Sequence, residues 1–542
     1  MNQLVSKSFS FVLIILIVFN HSFASAKTNG ESDKIDKLVN SAIKAFDVPG
    51  VSIGIIKDGK FTHIKGYGKA NIENNDPVNK NTIFKIASNS KAFTSASLAL
   101  LVEQGKLKWS DKVHQILPDF EMNDPWVTKE FNIRDLLTHR SGLGRGAGDL
   151  MLWPEPTKFS RNQLVKNLRH LNSVSSFRDE YAYDNLLYIV AGEVVAKISG
   201  MSWESFVKKE IFKPLGMNRC FAGGVDVANV KNIATPHTQI DNKVIVMEAN
   251  KINNNVNLMA AAGGIKCDMA DVLSWVGMQL NRGMMLNDKR FLSKKSILEM
   301  WKPVTTLPLS QTSKNYDNTD FRAYSLGWRV SNYHGEHRVS HTGTLSGFMS
   351  QIVMFPKRNV GVVLLMNRDS SAARSSLSRG LMNIVLNQFK DRTKKLNKNW
   401  VKHYINLSKK KRNKINKVLS VVSELKVPAE QMKFIGEYVD PWFGEISISK
   451  IQGKIVWQSK MSPRMKGEVF YHSKNKWWVK WDDRSYKADA WLMFEPVNNE
   501  LSNERNVNLK MNSIDPSADF SFDFQDLNFI KINRQQNEQK NK

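Results

Sequence analysis

The chain alternates between stretches of strand-like and helix-like hydrophobic periodicity. Residues 51–68 hold two apolar-rich segments on either side of Asp58 and Gly59, a pair that suits the tight turn of a β-hairpin. Apolar positions then recur at helical spacing over residues 92–299. Strand patterns return late, followed by one more helical pattern, at residues 338–341, 347–355, 360–366 and 375–389. These patterns predict an α/β (α+β) unit, in which a mostly antiparallel sheet joins both ends of the segment and is flanked by helices.

Two changes of composition follow this unit. Residues 390–428 carry a dense run of lysine and arginine, with apolar residues spaced as one face of a helix, which predicts a basic helical linker. Residues 429–532 contain short aromatic-rich strands separated by turn residues, as expected of a small antiparallel barrel or sandwich. The polar residues 533–542 are predicted to be a disordered tail.

The first 26 residues have the features of a signal peptide. Lys7 precedes a short apolar run, and Ala24, Ser25 and Ala26 offer a small-residue cleavage site. The apolar run is too short for an ordinary membrane span. We therefore expect an exported protein, periplasmic or secreted, whose first folded domain covers residues 27–389.

Charge and cysteine content narrow the partners and the chemistry. The 542 residues include 78 Lys and Arg against 51 Asp and Glu, a formal charge of +27. In an exported protein this excess points to acidic cell-envelope polymers or anionic lipid rather than nucleic acid, with plain solubility as the alternative. Export permits a disulfide between Cys220 and Cys267. Two separate buried thiols are the default expectation.

A candidate nucleophile lies at the start of an apolar helical stretch. Ser88 and Lys91 are three residues apart in the sequence FKIASNSKAFTSASLALL, and residues i and i+3 of a helix share a face. A helix N-terminus also offers unpaired N–H groups for a developing oxyanion. Other Ser-x-x-Lys pairs occur at residues 205–208, 408–411 and 473–476, but they lack this setting. The pattern therefore favours Ser88, in the first helical turn, as a nucleophile with Lys91 as its base.

Such a pair needs further polar groups in the same pocket. A lysine or tyrosine base must lose about three units of pKa, or about 4 kcal/mol, to work near neutral pH. Two tripeptides supply candidates, Tyr183-Asp184-Asn185 before a helical run and His341-Thr342-Gly343 at the end of a strand.

A metal site is the competing interpretation of one of these segments. The sequence YHGEHRVSH contains His334, Glu336, His337 and His341. It is not the H-E-x-x-H arrangement of a zinc-binding helix, and its glycine indicates a turn between strands. We therefore expect no metal and no other cofactor.

In their order along the chain and their surroundings, the Ser-x-x-Lys pair and the two tripeptides resemble the sequence boxes of the serine β-lactamase/D-alanyl-D-alanine peptidase family. The resemblance is greatest to the class C-related serine hydrolases that include peptidase family S12. Residues 88–91, 183–185 and 341–343 match the family's S-x-x-K, Y-x-N and K/H-T-G boxes. The segments LLTHRSGL, PLGM, AAGGIKCDMADVLSW and YSLGWRV extend the resemblance over residues 35–389.

The resemblance implies a mechanism with an acyl-enzyme on Ser88. Lys91 and Tyr183 share the general-base work, and the N–H groups of Ser88 and Thr344 form the oxyanion hole. Substrate binding falls to Asn185, His341, Thr342 and Gly343. Water then hydrolyses the acyl-enzyme.

One departure from the family pattern bears on the substrate. The third box begins with His341, where most class C β-lactamases have lysine, and a histidine is mostly neutral near pH 7. The resemblance therefore favours D-amino-acid-containing peptides, or related amides and esters, over efficient β-lactam hydrolysis. The alternatives are an esterase, a weak β-lactamase or a non-catalytic envelope-binding protein.

The C-terminal region resembles a second known domain. FIGEYVDPWFGEISISK and DPSADFSFDFQDL are similar to the lipocalin-like eight-stranded barrel appended to some S12 peptidases. That resemblance implies a role in restricting access to the active site or in assembly, and it leaves an oligomer open. Such barrels can hold a small ligand. The four tryptophans Trp457, Trp477, Trp478 and Trp481 are nevertheless expected to fill the core.

Overall fold

The computed structural model describes residues 29–225, 229–247, 258–389, 396–420, 422–497 and 506–532. The signal peptide predicted for residues 1–26 and the tail predicted for residues 533–542 lie outside the described residues. The first six residues of the predicted linker do so as well.

Thirteen strands are described before residue 400. They are β1 Gly50–Lys57, β2 Lys60–Gly68, β3 Phe84–Lys85, β4 Phe221–Ala222, β5 His237–Ile240, β6 Lys243–Val246, β7 Ile265–Cys267, β8 Thr305–Thr306, β9 Arg322–Tyr324, β10 Arg329–Tyr333, β11 Glu336–Leu345, β12 Phe348–Phe355 and β13 Val360–Met366. Eight of them form one sheet in the order β2-β1-β13-β12-β11-β10-β9-β8, while β3-β7-β4 and β5-β6 form two small sheets.

The large sheet is antiparallel throughout its named strand pairs and joins the two ends of the segment, as the sequence predicts. Strand β1 turns into β2 at Asp58 and Gly59, whose φ angles of 48° and 74° give the left-handed pair that a two-residue hairpin requires. On its other side β1 pairs with β13, with Val51 opposite Met366. Every residue of β13 is buried, because helices cover both faces of the sheet centre.

Fourteen α-helices are described. They are α1 Asn29–Ala45, α2 Lys91–Glu103, α3 Val113–Ile116, α4 Pro125–Glu130, α5 Ile133–Leu136, α6 Arg161–Asn167, α7 Leu186–Ser199, α8 Trp203–Val207, α9 Ala260–Gly263, α10 Met269–Leu280, α11 Lys294–Met300, α12 Gln311–Asp317, α13 Ser371–Leu386 and α14 Trp400–Leu419. Helices α1 and α13 pack with one face of the sheet, and α2 and α10 belong to the core on the other face. The basic segment after the sheet is helical as α14.

The C-terminal region is a closed antiparallel barrel. Its strands are β14 Gly436–Asp440, β15 Gly444–Ile451, β16 Lys454–Ser459, β17 Lys466–Ser473, β18 Lys476–Trp481, β19 Ala490–Val497, β20 Asn506–Ser513 and β21 Asn528–Lys531. Trp457, Trp477 and Trp481 are almost wholly buried within it, and Trp478 is buried in a separate cluster with Phe470 and Ile514, so the prediction that these tryptophans are core residues is confirmed. The barrel core is continuous with that of the α/β unit, for instance through contact of the Phe159 and Phe443 rings.

Cys220 and Cys267 form a disulfide, so the default expectation of two separate thiols is wrong. The bond joins the segment before β4 to β7, which pairs with β3, the strand directly before the Ser88 turn.

Within the described ranges no single helix is long and apolar enough to cross a membrane. One sharply bent pair, Leu186–Ser199 with Trp203–Phe212, passes on length and composition alone.

Candidate active site

Ser88 lies in a short 3₁₀ turn, Ala87–Ser90, between β3 and α2. The prediction that it occupies the first turn of the α-helix is therefore corrected, because α2 begins only at Lys91. The turn opens with Ala87 at a φ of 49°, a left-handed conformation that costs energy for a residue with a side chain. The Ser90 hydroxyl donates to the Ala87 carbonyl at 2.7 Å and anchors the turn from inside. Ser88 is half-buried, whereas its neighbours in the turn are buried.

Lys91 is fully buried and donates hydrogen bonds to two acceptors. Its Nζ donates to Asn185 Oδ1 at 2.7 Å and to the Ala262 carbonyl at 2.9 Å. The Lys91 pKa is lowered to about 7, chiefly by burial; the nearby Arg329 guanidinium acts in the same direction, while Asp149 and Asp184 oppose the change. A neutral amine has two N–H groups and one lone pair, so these two acceptors leave the lone pair uncommitted. Lys91 can therefore accept a proton near neutral pH.

Tyr183 lies beside both residues. Its ring centroid is 4.8 Å from Lys91 Nζ, and its hydroxyl lies near enough to the Ser88 side chain for that side chain to lower its pKa. Burial raises the Tyr183 pKa well above its ordinary value, although Arg329 and the Ser88 side chain act in the opposite direction. The phenol therefore keeps its proton at neutral pH. The sequence interpretation divided the base role between two residues, and the electrostatics of the site favour Lys91 as the base and Tyr183 as the proton donor.

His139 and Asn185 hold the segment that carries Tyr183. The His139 ring packs on the Tyr183 ring with centroids 4.2 Å apart, and its Nδ1 accepts from the Asp184 N–H at 3.1 Å. Burial, with Lys91 and Arg329 nearby, lowers the His139 pKa well below its ordinary value, so this histidine is neutral. Asn185 is 5% exposed and is bonded to Lys91. The substrate-binding role predicted for Asn185 stays a prediction, and the structure gives it a direct contact with the base.

Strand β11 forms the opposite wall. His341 is buried, its Nε2 lies 2.9 Å from the Tyr324 hydroxyl, and burial together with Arg329 and Lys91 lowers its pKa well below the ordinary value. Gly343 lets the strand approach the nucleophile turn, because a Cβ there would lie 2.4 Å from the Ile86 carbonyl oxygen. Thr342 is half-buried beside it.

This close approach bears on the predicted oxyanion hole. Thr344 follows Gly343 on the same strand and is exposed, while Ser88 follows Ile86 by two residues on the facing turn. The two segments that carry Ser88 and Thr344 are therefore neighbours. The pairing of their N–H groups on one oxygen stays a prediction.

Arg329 is a site residue that the sequence interpretation did not identify. Its guanidinium lies 5.7 Å from the Tyr183 ring centroid and 5.5 Å from that of Tyr324, and it donates to Thr342 Oγ1 at 3.3 Å. Arg329 therefore places a permanent cation near His341, which is neutral. The signal was available, because Arg329 directly follows the Gly-Trp of the segment YSLGWRV.

A segment from the C-terminal region also reaches the site. Phe520, between β20 and β21, packs edge-on against Tyr183 with ring centroids 5.7 Å apart. Arg145 also contacts this ring, with its guanidinium 4.2 Å from the Phe520 centroid. Nothing in the local sequence of residues 515–526 indicates this contact, since it depends on how the barrel packs against the α/β unit.

The competing metal interpretation concerns the β10–β11 hairpin. His334 and Gly335 form its turn with φ angles of 49° and 83°, as the glycine indicated, and Glu336 pairs with Arg358. No group of three or more His, Cys, Asp or Glu side chains suited to a metal ion occurs within the part of the chain that the structure describes.

Taken together, a half-buried serine, a buried lysine with a lowered pKa and a tyrosine lie together beside strand β11 of the antiparallel sheet, an arrangement suited to hydrolysis through a serine nucleophile. Residues 35–385 match the family model described as Beta-lactamase, and the chain belongs to this family. Residues 426–531 match a domain of unknown function, DUF3471. The family resemblance drawn from the sequence boxes is thereby confirmed.

Individual proteins and structures agree with this assignment. The chain is 28% identical over 361 residues to Unguisins hydrolase ungD' of Aspergillus campestris and 27% identical over 352 residues to Protein flp of Staphylococcus aureus. These matches cover 64% and 63% of this chain, and 64% of each relative's length.

Two solved structures share the fold. The octameric penicillin-binding protein homologue from Pyrococcus abyssi superposes with a TM-score of 0.57, at 20% identity, over 92% of this chain and all of that one. A class C beta-lactamase with a single tyrosine-to-phenylalanine substitution gives 0.54 at 20% identity over 67% of this chain and 99% of that one. The predicted fold, a β-lactamase-like α/β unit with a C-terminal antiparallel barrel, is confirmed.

Proposed function

We propose that this protein is an exported serine hydrolase that forms an acyl-enzyme on Ser88 and acts on D-amino-acid-containing peptides or related amides and esters. The observation that carries the proposal is the state of Lys91: an amine with a pKa of about 7, held by two acceptors three residues from Ser88 and beside Tyr183. A structural lysine is rarely placed in such surroundings, because burial of its charge is costly.

Acylation then proceeds as a balanced proton transfer. The Lys91 amine takes the Ser88 proton as Oγ attacks the substrate carbonyl carbon, and the carbonyl oxygen becomes an oxyanion facing the N–H groups of Ser88 and Thr344. Tyr183 gives its proton to the leaving amine or alcohol as the carbonyl bond to it breaks. The proton held by Lys91 then returns to the tyrosine oxygen, which leaves an ester on Ser88 and a neutral pocket.

Deacylation uses the same groups with water as the nucleophile. Lys91 removes a proton from the water that attacks the Ser88 ester, and the Ser88 oxygen regains a proton as the acid product departs. No cofactor enters these steps.

The position of Arg329 favours a substrate that carries an anionic group. Its guanidinium stands at the Thr342 hydroxyl on the wall facing the nucleophile turn, where His341 is neutral and carries no charge of its own. A carboxylate placed against this wall would meet a cation able to bind it through two hydrogen bonds. Peptides with a free terminal carboxylate are therefore favoured within the proposed class.

The name of the fungal relative describes a hydrolase, which supports hydrolysis as the reaction. The β-lactamase of similar fold supports the second candidate, a weak β-lactamase, while an esterase shares every acylation step. Binding of acidic envelope polymers by α14 is supported by its exposed lysines and arginines. Assembly into an oligomer is supported by the archaeal structure, which is described as octameric.

The test of the function is covalent labelling of the full chain with a fluorophosphonate and with a fluorescent penicillin. We expect wild type to be labelled and Ser88→Ala to remain unlabelled. Hydrolysis of D-Ala-D-Ala peptides, D-aminoacyl amides, short esters and a chromogenic cephalosporin then ranks the substrates. A wild type that is never labelled, yet is retained on cell-wall material, would instead indicate the non-catalytic binding protein.

Export is tested separately. Expression with the native N-terminus should place the protein in the periplasm or medium, with a mature chain that starts near Lys27 by mass spectrometry. An uncleaved protein confined to the cytoplasm would contradict this part of the proposal.

A further inference from the structure

The C-terminal segment makes polar contacts to the active-site loop as well as the ring contact described above. Between β20 and β21, the Asp523 carboxyl oxygens accept hydrogen bonds from the Gly148 N–H at 2.6 Å and from the Leu150 N–H at 2.9 Å. These two donors flank Asp149. The barrel region therefore fixes the backbone on both sides of one buried carboxyl group of the α/β unit.

Asp149 in turn contacts the side chain that holds the base. Its Oδ2 accepts from Asn185 Nδ2 at 2.8 Å and from the Ser521 hydroxyl at 2.8 Å. Asp149 is fully buried and Ser521 is 8% exposed, so water competes little for these bonds.

The direction of these bonds fixes one rotamer of an amide. Because Asn185 donates its NH₂ to Asp149, its Oδ1 must face the other way, and there it accepts from Lys91 Nζ at 2.7 Å. A flipped amide would present N–H groups to the Lys91 amine, remove one of its two acceptors and attract its lone pair. The orientation that leaves the lone pair available for Ser88 thus depends on an acceptor at residue 149.

We propose that Asp149 and Ser521 are positioning residues, which hold Asn185 and through it Lys91 in the geometry for acylation, so that the C-terminal region completes the active site of the α/β unit. The chain of contacts runs from the Ser521 hydroxyl to Asp149, then Asn185, then Lys91. Ser521 holds the carboxyl oxygen that Asn185 also uses, and Asp523 holds the backbone on either side. This inference rests on the proposed function, since it concerns the rate at which Ser88 is acylated.

The test is the kinetics of fluorophosphonate labelling of the full-length protein, separated into the maximal rate and the half-saturating probe concentration. Loss of one neutral hydrogen bond predicts that Ser521→Ala lowers the maximal rate about 5-fold without changing half-saturation or the unfolding temperature. Ser521→Thr keeps the hydroxyl and should recover most of the rate. Asp149→Ala should lose at least about 10-fold.

Ser517→Ala is the matched control, because Ser517 lies in the same segment but is exposed. It should label as wild type does. A Ser521→Ala variant as fast as wild type would overturn the inference. So would an equal loss in Ser517→Ala, or a Ser521→Thr variant that unfolds normally and is no faster than Ser521→Ala. A wild type that is not labelled at all would instead refute the proposed function, and this inference with it.

Discussion

The pH dependence of acylation is the sharpest consequence of the buried lysine. Burial moves the Lys91 pKa from its ordinary value of 10.5 to about 7, a preference of about 5 kcal/mol for the neutral amine. Only the neutral amine can take the Ser88 proton, so the acylation rate should rise with pH. We expect about a tenfold rise per pH unit below the Lys91 pKa and a plateau above it.

The assay measures the rate of labelling by a fluorophosphonate from about pH 5 to pH 9. The probe is uncharged and does not titrate in this range, so any inflection belongs to the protein. Lys91→Arg should be slower by about 10²- to 10⁴-fold and should lose the inflection, because a guanidinium stays protonated. A wild-type rate that still rises without a plateau at pH 9, or a flat profile, would refute the reasoning.

Asp184 must be separated from Lys91 in this experiment. Burial raises the Asp184 pKa to about 7 as well, so its titration falls in the same range. Asp184 raises the Lys91 pKa, and Asp184→Asn removes that charge. The inflection of Asp184→Asn should therefore persist and move to lower pH. Its disappearance would assign the titration to Asp184 instead.

Three further outcomes follow from the structure. Arg329→Gln should raise KM about tenfold for a peptide with a free terminal carboxylate and leave its amidated form unaffected, measured at about pH 9 where Lys91 is neutral in both proteins; equal changes for both peptides would contradict the assigned contact. Gly343→Ala should lower labelling and cost about 1–3 kcal/mol in denaturant unfolding, because the new Cβ would lie 2.4 Å from the Ile86 carbonyl oxygen; a neutral effect would show that β11 can move freely. Cys220→Ser with Cys267→Ser should cost about 4 kcal/mol of unfolding free energy, since the bond closes a loop with a sequence separation of 47; unchanged unfolding would show that the bond does not form in solution.

Features that depend on local pattern could be predicted from the sequence. The hairpin at Asp58-Gly59 needs two left-handed residues, and that pair supplies them. The late strands are apolar and short, and they were predicted near their observed positions, although β11 extends to Leu345 and so carries the His-Thr-Gly box within the strand rather than at its end. The three boxes could be identified because their order along the chain carries the information.

Features that depend on packing between residues far apart in the chain could not be predicted from the sequence. The 3₁₀ turn at Ser88 lies close against β11 at residues 86–87, a contact between distant segments that no helical pattern reveals. The disulfide requires the residue before β4 to meet the end of β7, and spacing along the chain does not show that they do. The contact of Ser521 with Asp149 joins residues on different domains, and serine and aspartate in a loop are ordinarily solvated.

Arg329 lies between these two cases. Its position after Gly-Trp was visible, but an arginine at the start of a strand is usually exposed. Only the fold shows that its guanidinium lies 5.7 Å and 5.5 Å from the ring centroids of Tyr183 and Tyr324, beside the nucleophile pocket. The sequence interpretation therefore identified the groups that move protons and missed the cation that stands next to them.

The pairing of β1 with β13 sets when this molecule can fold. Residue 51 pairs with residue 366 on one side and with β2 on the other, so a chain emerging N-terminus first can form the β1–β2 hairpin early, but it cannot join that hairpin to the rest of the sheet until β13 has been made. Contacts of such separation form slowly. The sheet therefore stays incomplete for most of synthesis, and the apolar side chains that β13 will cover remain exposed during that interval, a state that favours aggregation.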